Sequence, residues 1–274
     1  MKFVYTITKS EFNKLTKYIK KYYGIHIKEE KLSLVTGRLS NELIKYKIDN
    51  FSDYYSYVIS DVTGEAAREL INKITTNHTY FMRESDHFDY FRQIILPYLR
   101  KTVKEKDLRI WSAGCSTGEE AYTLAMILDE NLGEEKVLWD SKVLATDICS
   151  EALKKAAEGI YGNEEIKILP VLWRQHYFER YDNQNVIICP KLKKEIIFRK
   201  LNFMDRSFPF KKKFHVIFCR NVMIYFDNNT KCELVNKFYD QLEDGGYLFI
   251  GHSEALNREK TKFKYIMPAI YRKE

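Results

Sequence analysis

Hydrophobic residues in the first quarter of the chain recur every three or four positions. Phe12, Leu15, Ile19 and Tyr22 or Tyr23 mark an amphipathic helix over 9–23, closed by Gly24. Leu32, Val35, Leu39, Leu43 and Tyr46 mark a second over roughly 29–47. Asn50 is placed to cap a third helix carrying Phe51, Tyr54, Tyr55 and Val58, and 64–74 reads as a fourth. No strand pattern interrupts this block, so residues 1–75 are expected to form an all-helical domain.

The pattern changes at 75–84, Thr-Thr-Asn-His-Thr-Tyr-Phe-Met-Arg-Glu, where polar residues interleave with aromatics. This stretch is either an ordered functional loop or a plain linker. Ser85 is placed to cap a helix running to about Arg100 and kinked at Pro97. Beyond it, short apolar runs at 108–113, 142–147, 214–219 and 247–250 alternate with helical segments, the signature of buried parallel strands. The runs 177–181, 186–189 and 196–203 predict a β-hairpin turned at Asp182–Asn185, with a third strand, inserted at about 176–200. Asn228 or Asn229 is placed to cap a helix reaching Leu242, and 263–272 suits an antiparallel pair turned at Pro268. The expected fold class is α/β, an open sheet over 76–274 preceded by the helical domain.

The first strand–loop–helix unit carries the most specific chemistry. Gly114 and Gly118 bracket small polar residues, and Glu119–Glu120 opens the helix. The Gly-x-x-x-Gly spacing is not the dinucleotide fingerprint, and no Gly-Lys-Ser/Thr follows as in a phosphate loop. An acidic pair at that helix start disfavours phosphate. A cationic ligand such as S-adenosylmethionine (SAM), with its ammonium and sulfonium groups, fits better. Asp147 ends the second strand, where a carboxylate can accept both ribose hydroxyls of a nucleoside, cap the next helix, or do both. Arg220-Asn221 ends the strand at 214–219, again at the ligand edge of such a sheet.

The chain has 274 residues, 45% of them hydrophobic, enough for one large or two smaller domains. Its net charge of +7 is locally concentrated, with eleven Lys/Arg against four Glu in residues 1–48. Lys31, Arg38 and Lys45 recur every seven residues and so line one side of the second predicted helix, as a solvated face or as a cationic rail for an acidic helix. No apolar run is long enough to cross a membrane, and no leader-like block starts the chain. Five scattered cysteines without a C-x-x-C suggest reduced thiols, a cytoplasmic protein and no metal site.

Taken together, residues 75–84, Trp-Ser-Ala-Gly-Cys-Ser-Thr-Gly-Glu-Glu (111–120), Ala-Thr-Asp-Ile (145–148), Ile-Phe-Cys-Arg-Asn-Val-Met-Ile-Tyr-Phe (217–226) and Gly-His-Ser-Glu (251–254) resemble the CheR family of chemotaxis-receptor methyltransferases. The resemblance covers essentially the whole chain in the family's order. It implies a Rossmann-like SAM-dependent methyltransferase domain with a small inserted antiparallel β-subdomain, behind an all-helical domain that recognises substrate. The implied reaction moves a methyl group from SAM to glutamates of methyl-accepting chemotaxis receptors, leaving S-adenosylhomocysteine.

By the same resemblance, Asn77, Thr79, Arg83, Glu120, Asp147, Asn202, Phe203, Arg220 and Asn221 contact the cofactor. Arg83 and Tyr225 face the incoming glutamate, and Lys31, Arg38 and Lys45 grip the receptor. A carboxylate acceptor is already ionised at neutral pH and needs no general base, so His78 and His252 read as structural. Neither nucleic acid nor membrane insertion is expected. The competing readings are a SAM enzyme acting on RNA or a small molecule, and a non-catalytic cofactor-binding module.

Overall fold

A computed structural model describes residues 5–274; residues 1–4 of the expected helical domain lie outside the described residues. Thr8 opens α1 (Lys9–Tyr23) with a capping box. Its hydroxyl accepts the Glu11 amide at 3.2 Å, and the Glu11 carboxylate accepts the Thr8 amide at 2.9 Å. The other oxygen of Glu11 accepts the amide and hydroxyl of Ser52, both at 2.9 Å. One carboxylate therefore ties together the starts of two helices. A 3₁₀ turn at Glu29–Lys31 leads into α2 (Leu32–Tyr46), followed by α3 (Phe51–Ser60), capped by Asn50 as expected, and α4 (Glu65–Ile74). Phe12, Leu15, Ile19, Val35, Leu39, Leu43, Tyr54 and Leu70 close a separate core. Each such side chain contributes about 1.5–3 kcal/mol when fully buried.

The helix after the linker departs from expectation in two ways. Its cap is Glu84, in the left-handed region at φ 54°, and Ser85 is the first residue of α5 (Ser85–Tyr90). The chain then widens into a π turn over Phe91–Ile95 before α6 (Leu96–Thr102). Pro97 has no amide hydrogen and its ring crowds the carbonyl four residues earlier. The wider turn just before it absorbs that conflict, so the predicted kink is a π bulge.

The domain after the linker is built on one seven-stranded sheet. β1 (Ile110–Ala113) leads through α7 (Glu119–Leu132) to β2 (Val143–Asp147) and α8 (Ser150–Glu158). A small unit follows, made of β3 (Ile160–Gly162), α9 (Val171–Tyr177), β4 (Phe178–Arg180), β5 (Asn185–Ile188) and α10 (Pro190–Lys193). The main sheet resumes with β6 (Ile196–Lys200), β7 (Phe214–Cys219), α11 (Asn228–Gln241), β8 (Leu242–Ile250), β9 (Lys264–Met267) and β10 (Ile270–Arg272). The order across it is β6-β2-β1-β7-β8-β10-β9. The first five are parallel, and β10 joins β8 antiparallel, with β9 outside it. This is the expected Rossmann-like sheet, with helices on its faces.

The 196–200 run is not the third strand of the inserted unit. It pairs in parallel with β2, Ile196 opposite Val143 through Lys200 opposite Asp147. The third strand of the small antiparallel sheet is β3, which pairs with β5 on the side away from β4. Three residues are too few to show an alternating pattern, which is why the sequence pointed to the longer run. The predicted turn is present: Asp182 Oδ1 accepts the amides of Gln184 and Asn185 at 2.7 and 2.8 Å. The cap of α11 is Asp227, which accepts the Thr230 amide at 2.9 Å, not Asn228 or Asn229.

Alternation along β1 sorts its side chains to two faces. Trp111 joins an aromatic cluster with Phe203, Phe208, Phe210, Phe214 and Phe238, and its indole donates to Thr146 Oγ1 at 2.8 Å. Ile110 faces the other core, beneath α7, and Ser112 reaches Glu120 on that helix. The helical domain closes over the C-terminal edge of the sheet. Asn202 Nδ2 donates to the Tyr22 carbonyl at 2.7 Å, the His26 amide to the Tyr225 carbonyl at 2.8 Å, and Lys20 pairs with Asp227 at 2.7 Å.

Candidate active site

Strand order reverses between β1 and β7, and a cleft opens where their C-terminal ends diverge, as expected for a ligand site in such sheets. The cleft holds about 1070 Å³, counting space open to solvent, and its walls come from both domains: Tyr23 and Ile25, the linker 74–80 with Arg83, and the ends of β1, β2, β6 and β7.

The glycine loop forms the floor. Gly114 and Gly118 have φ of 89° and 100°, a region that L side chains reach only at a cost. A Cβ on Gly114 would sit 2.4 Å from Val222 Cγ2, and one on Gly118 would sit 2.9 Å from Ala156 Cβ. Both glycines are therefore required by conformation and by space. Asp147 ties the loop to the start of α8. Its Oδ2 accepts the Ser116 amide and its Oδ1 the Cys149 amide, each at 2.8 Å. Burial pushes its carboxyl up, against the pull of those backbone bonds. Each oxygen keeps a further lone pair for a ligand hydroxyl.

Of the acidic pair, Glu120 lines the cleft. Glu119 is buried, accepts the Thr117 hydroxyl at 2.8 and 2.9 Å, and has its carboxyl pushed up by burial. Glu120 accepts Ser112 Oγ at 2.7 Å and Arg220 Nη1 at 3.0 Å. Arg220 is the hub of the site. Its side chain is only 3% exposed, its Nη2 also pairs with Glu84 at 3.1 Å and bonds the Arg83 carbonyl, and its guanidinium lies over Phe88. Glu84 in turn accepts Asn221 Nδ2 at 3.1 Å. Burial raises the Glu84 carboxyl, but the Asn221 bond and the Arg220 charge outweigh it and hold it below the usual range. Asn221 itself is left-handed, at φ 58°.

The linker is an ordered wall. The Asn77 carbonyl accepts Ser116 Oγ at 3.0 Å, and its side-chain amide meets Cys149 Sγ at 3.1 Å. Arg83 Nη1 donates to the His78 carbonyl at 2.7 Å, so the guanidinium is steered along the cleft wall. Asn77, Thr79, Arg83, Glu120, Asp147, Asn202, Phe203, Arg220, Asn221 and Tyr225 all line this one cleft. Phe203 is also anchored edge-on against Trp111.

The three basic residues of the second helix are not brought to it. Lys31 closes the 3₁₀ turn before α2 and is exposed. Lys45 pairs with Glu69 at 2.8 Å. Arg38 holds the linker from behind, donating to the Ile74 carbonyl at 2.6 Å and to Thr76 Oγ1 at 3.1 Å.

Two carboxylates escaped the sequence reading, Glu84 and Glu254. Both sit inside quoted motifs, next to Arg83 and at the end of Gly-His-Ser-Glu, and that adjacency was the available signal. Glu84, His87 and His252 bring donor atoms within 4.8 Å of one another. The Glu84 oxygens there already accept Arg220, Asn221 and the His252 amide, the His252 ring pairs with Asp86, and both His87 ring nitrogens are buried without a hydrogen-bond partner. His87 is fully buried, and burial with the Arg220 charge holds it near 4, hence neutral.

The SAM-binding domain of the CheR methyltransferases matches residues 77–271, and the family's all-alpha domain matches 10–75. The chain belongs to the CheR methyltransferase family. A chemotaxis protein methyltransferase of Borreliella burgdorferi is 44% identical over 97% of this chain and 95% of its own length. A chemotaxis protein methyltransferase of Escherichia coli is 34% identical over 97% and 91%. The CheR SAM-binding domain and its helical partner thus meet near residue 76, where the linker enters the cleft. The chain is a SAM-dependent methyltransferase, and its donor set suits that cofactor: the Glu120 and Asp147 carboxylates in the cleft are acceptors of the kind that ammonium and hydroxyl groups need. Among the described residues no helix is long and apolar enough to cross a membrane.

Proposed function

We propose that this enzyme forms methyl esters on glutamate side chains in the cytoplasmic helices of chemotaxis receptors, acting in the cytoplasm. One observation carries the reading. Carboxylates from the start of α7 and the end of β2, Glu120 and Asp147, line the same cleft as Arg83 from the linker and Tyr225 from the segment after β7. One cavity thus offers acceptors to a cationic cofactor and a guanidinium to an anionic acceptor. The names of the relatives point to the same substrate class.

In this reading Glu120 accepts the cofactor's ammonium, Asp147 its ribose hydroxyls, and Asn77, Thr79, Asn202, Phe203, Arg220 and Asn221 complete the enclosure. Bound SAM supplies an electrophilic methyl on its sulfonium. Arg83 orients the acceptor carboxylate through its guanidinium fork, and Tyr225 donates a hydrogen bond or packs beside it. The acceptor, with an ordinary glutamate pKa near 4.3, arrives ionised and no base is required. Positioning and exclusion of water are the enzyme's contribution, up to about 7–11 kcal/mol in favourable systems. Lys31 and Lys45 remain candidates for receptor contact, as does Arg38 through whatever freedom its linker bonds leave.

The test is incubation with labelled SAM and receptor-containing membranes. Alkali-labile label on a receptor supports the ester; label on RNA or on small molecules alone refutes it. In the same assay Arg83→Ala should lower turnover far more than SAM affinity, and unchanged kinetics would remove the role given to Arg83.

A further inference from the structure

The segment after β7, Arg220 to Asp227, supplies Arg220, Asn221, Val222 and Tyr225 to the cleft but belongs to no strand. Its regular structure is a single 3₁₀ turn at Met223–Tyr225. Amides that no ladder pairs need another acceptor. Here the acceptor is Glu254. The residue is 8% exposed, and its carboxylate accepts three backbone amides: Gly251 at 2.6 Å and Asn221 at 3.0 Å on Oε2, and Ile224 at 3.1 Å on Oε1. Glu254 does not line the cleft; it borders a hollow on the other side of the segment, between α11 and the loop 255–261. It therefore reaches the reacting groups only through the backbone it holds.

We propose that Glu254 is a positioning residue for methyl transfer, a buried carboxylate that fixes the backbone of 221–225 and thereby places Asn221 and Tyr225. The inference rests on the reading of Asn221 and Tyr225 as cofactor- and substrate-facing groups. The geometry is directed. Oε2 binds the amides just past the C-terminal ends of β7 and β8, and Oε1 binds the amide immediately before Tyr225. Asn221 is pinned from the opposite side by Glu84, so its left-handed backbone is held between two carboxylates. Gly251 closes against it: a Cβ there would lie 2.8 Å from the Asn221 nitrogen.

Glu254→Gln tests this. The carboxamide keeps the shape but turns one acceptor oxygen into a donor facing backbone amides. Turnover should fall about 10- to 100-fold, the penalty of stranding a buried donor, with a smaller change in S-adenosylhomocysteine affinity. Combined with Tyr225→Phe, the double variant should lose less than the product of the two single losses, because Tyr225 is one of the two groups that Glu254 places. Amide hydrogen exchange should accelerate over 221–225 while α2 is unchanged. Losses that multiply in the double variant, or unaltered exchange over 221–225, overturn the proposal. If Glu254→Gln does not accumulate folded, Gly251→Ala perturbs the same contact and is read in the same way. If the wild-type enzyme esterifies no receptor, the substrate reading fails, and hydrogen exchange still decides the role of Glu254.

Discussion

Replacing Arg220 with methionine removes the charge from the centre of the site while keeping an unbranched side chain. In the wild type one guanidinium, 3% exposed, pairs with Glu84 at 3.1 Å and Glu120 at 3.0 Å, whose side chains are 14% and 12% exposed. The variant leaves two largely buried carboxylates without their cation. Removing one partner of a buried pair costs about 3–5 kcal/mol, a large part of the roughly 5–15 kcal/mol that holds a domain folded. With a urea slope of about 1–3 kcal/mol per molar, the unfolding midpoint should drop by at least about 1 M at pH 7. The pH dependence supplies a second check. The Glu84 carboxyl is held below its usual range because the Asn221 bond and the Arg220 charge outweigh burial. A depressed carboxyl contributes stability that is present above its unfolded value, about 4.3, and is lost as pH falls through the folded value. The gap between wild type and Arg220→Met should therefore narrow as pH falls below about 5. Adding Glu120→Gln to the variant should recover part of the loss. A midpoint unchanged at pH 7, or a gap that widens in acid, would refute the account of Arg220 as the electrostatic hub.

Further expectations concern the floor, the linker and a buried histidine. Gly114→Ala combines a φ of 89° with a contact 2.4 Å from Val222. It should cost about 2 kcal/mol or more and weaken SAM binding, measured by unfolding and calorimetry. Arg38→Ala frees the carbonyl of Ile74 and the hydroxyl of Thr76; it should weaken SAM binding several-fold, about 1 kcal/mol, whereas loss of receptor affinity alone would mark Arg38 as a pure substrate contact. His87, held near 4 by burial and Arg220, stays neutral in the fold while the unfolded chain takes up a proton near 6.5. Its share of stability is thus whole above about 6.5 and lost as pH falls toward 4, roughly 3 kcal/mol. His87→Phe should lack that part of the acid sensitivity in urea titrations at pH 7 and 4.

The helices of the N-terminal domain and the strands of the main sheet were legible because each is long or apolar enough to show its period. The glycine loop was legible for a different reason: two glycines with acids after a buried strand leave few alternatives. What the pattern misplaced was short or depended on pairing. β3 has three residues, and β6 looks like a hairpin strand until β2 is seen beside it. Caps were shifted by one residue at Glu84 and Asp227 because several neighbouring side chains could have served. The sequence by itself determined most of the secondary elements, the family and the set of polar residues that line the cleft, since these depend on local period and ordered motifs. Only the tertiary structure decided that Arg220 joins Glu84 to Glu120, that Arg38 is spent on the linker, and that Glu254 stands behind the Tyr225 loop. Those contacts join residues up to 136 positions apart, and no local pattern encodes which buried carboxylate will meet which amide or guanidinium.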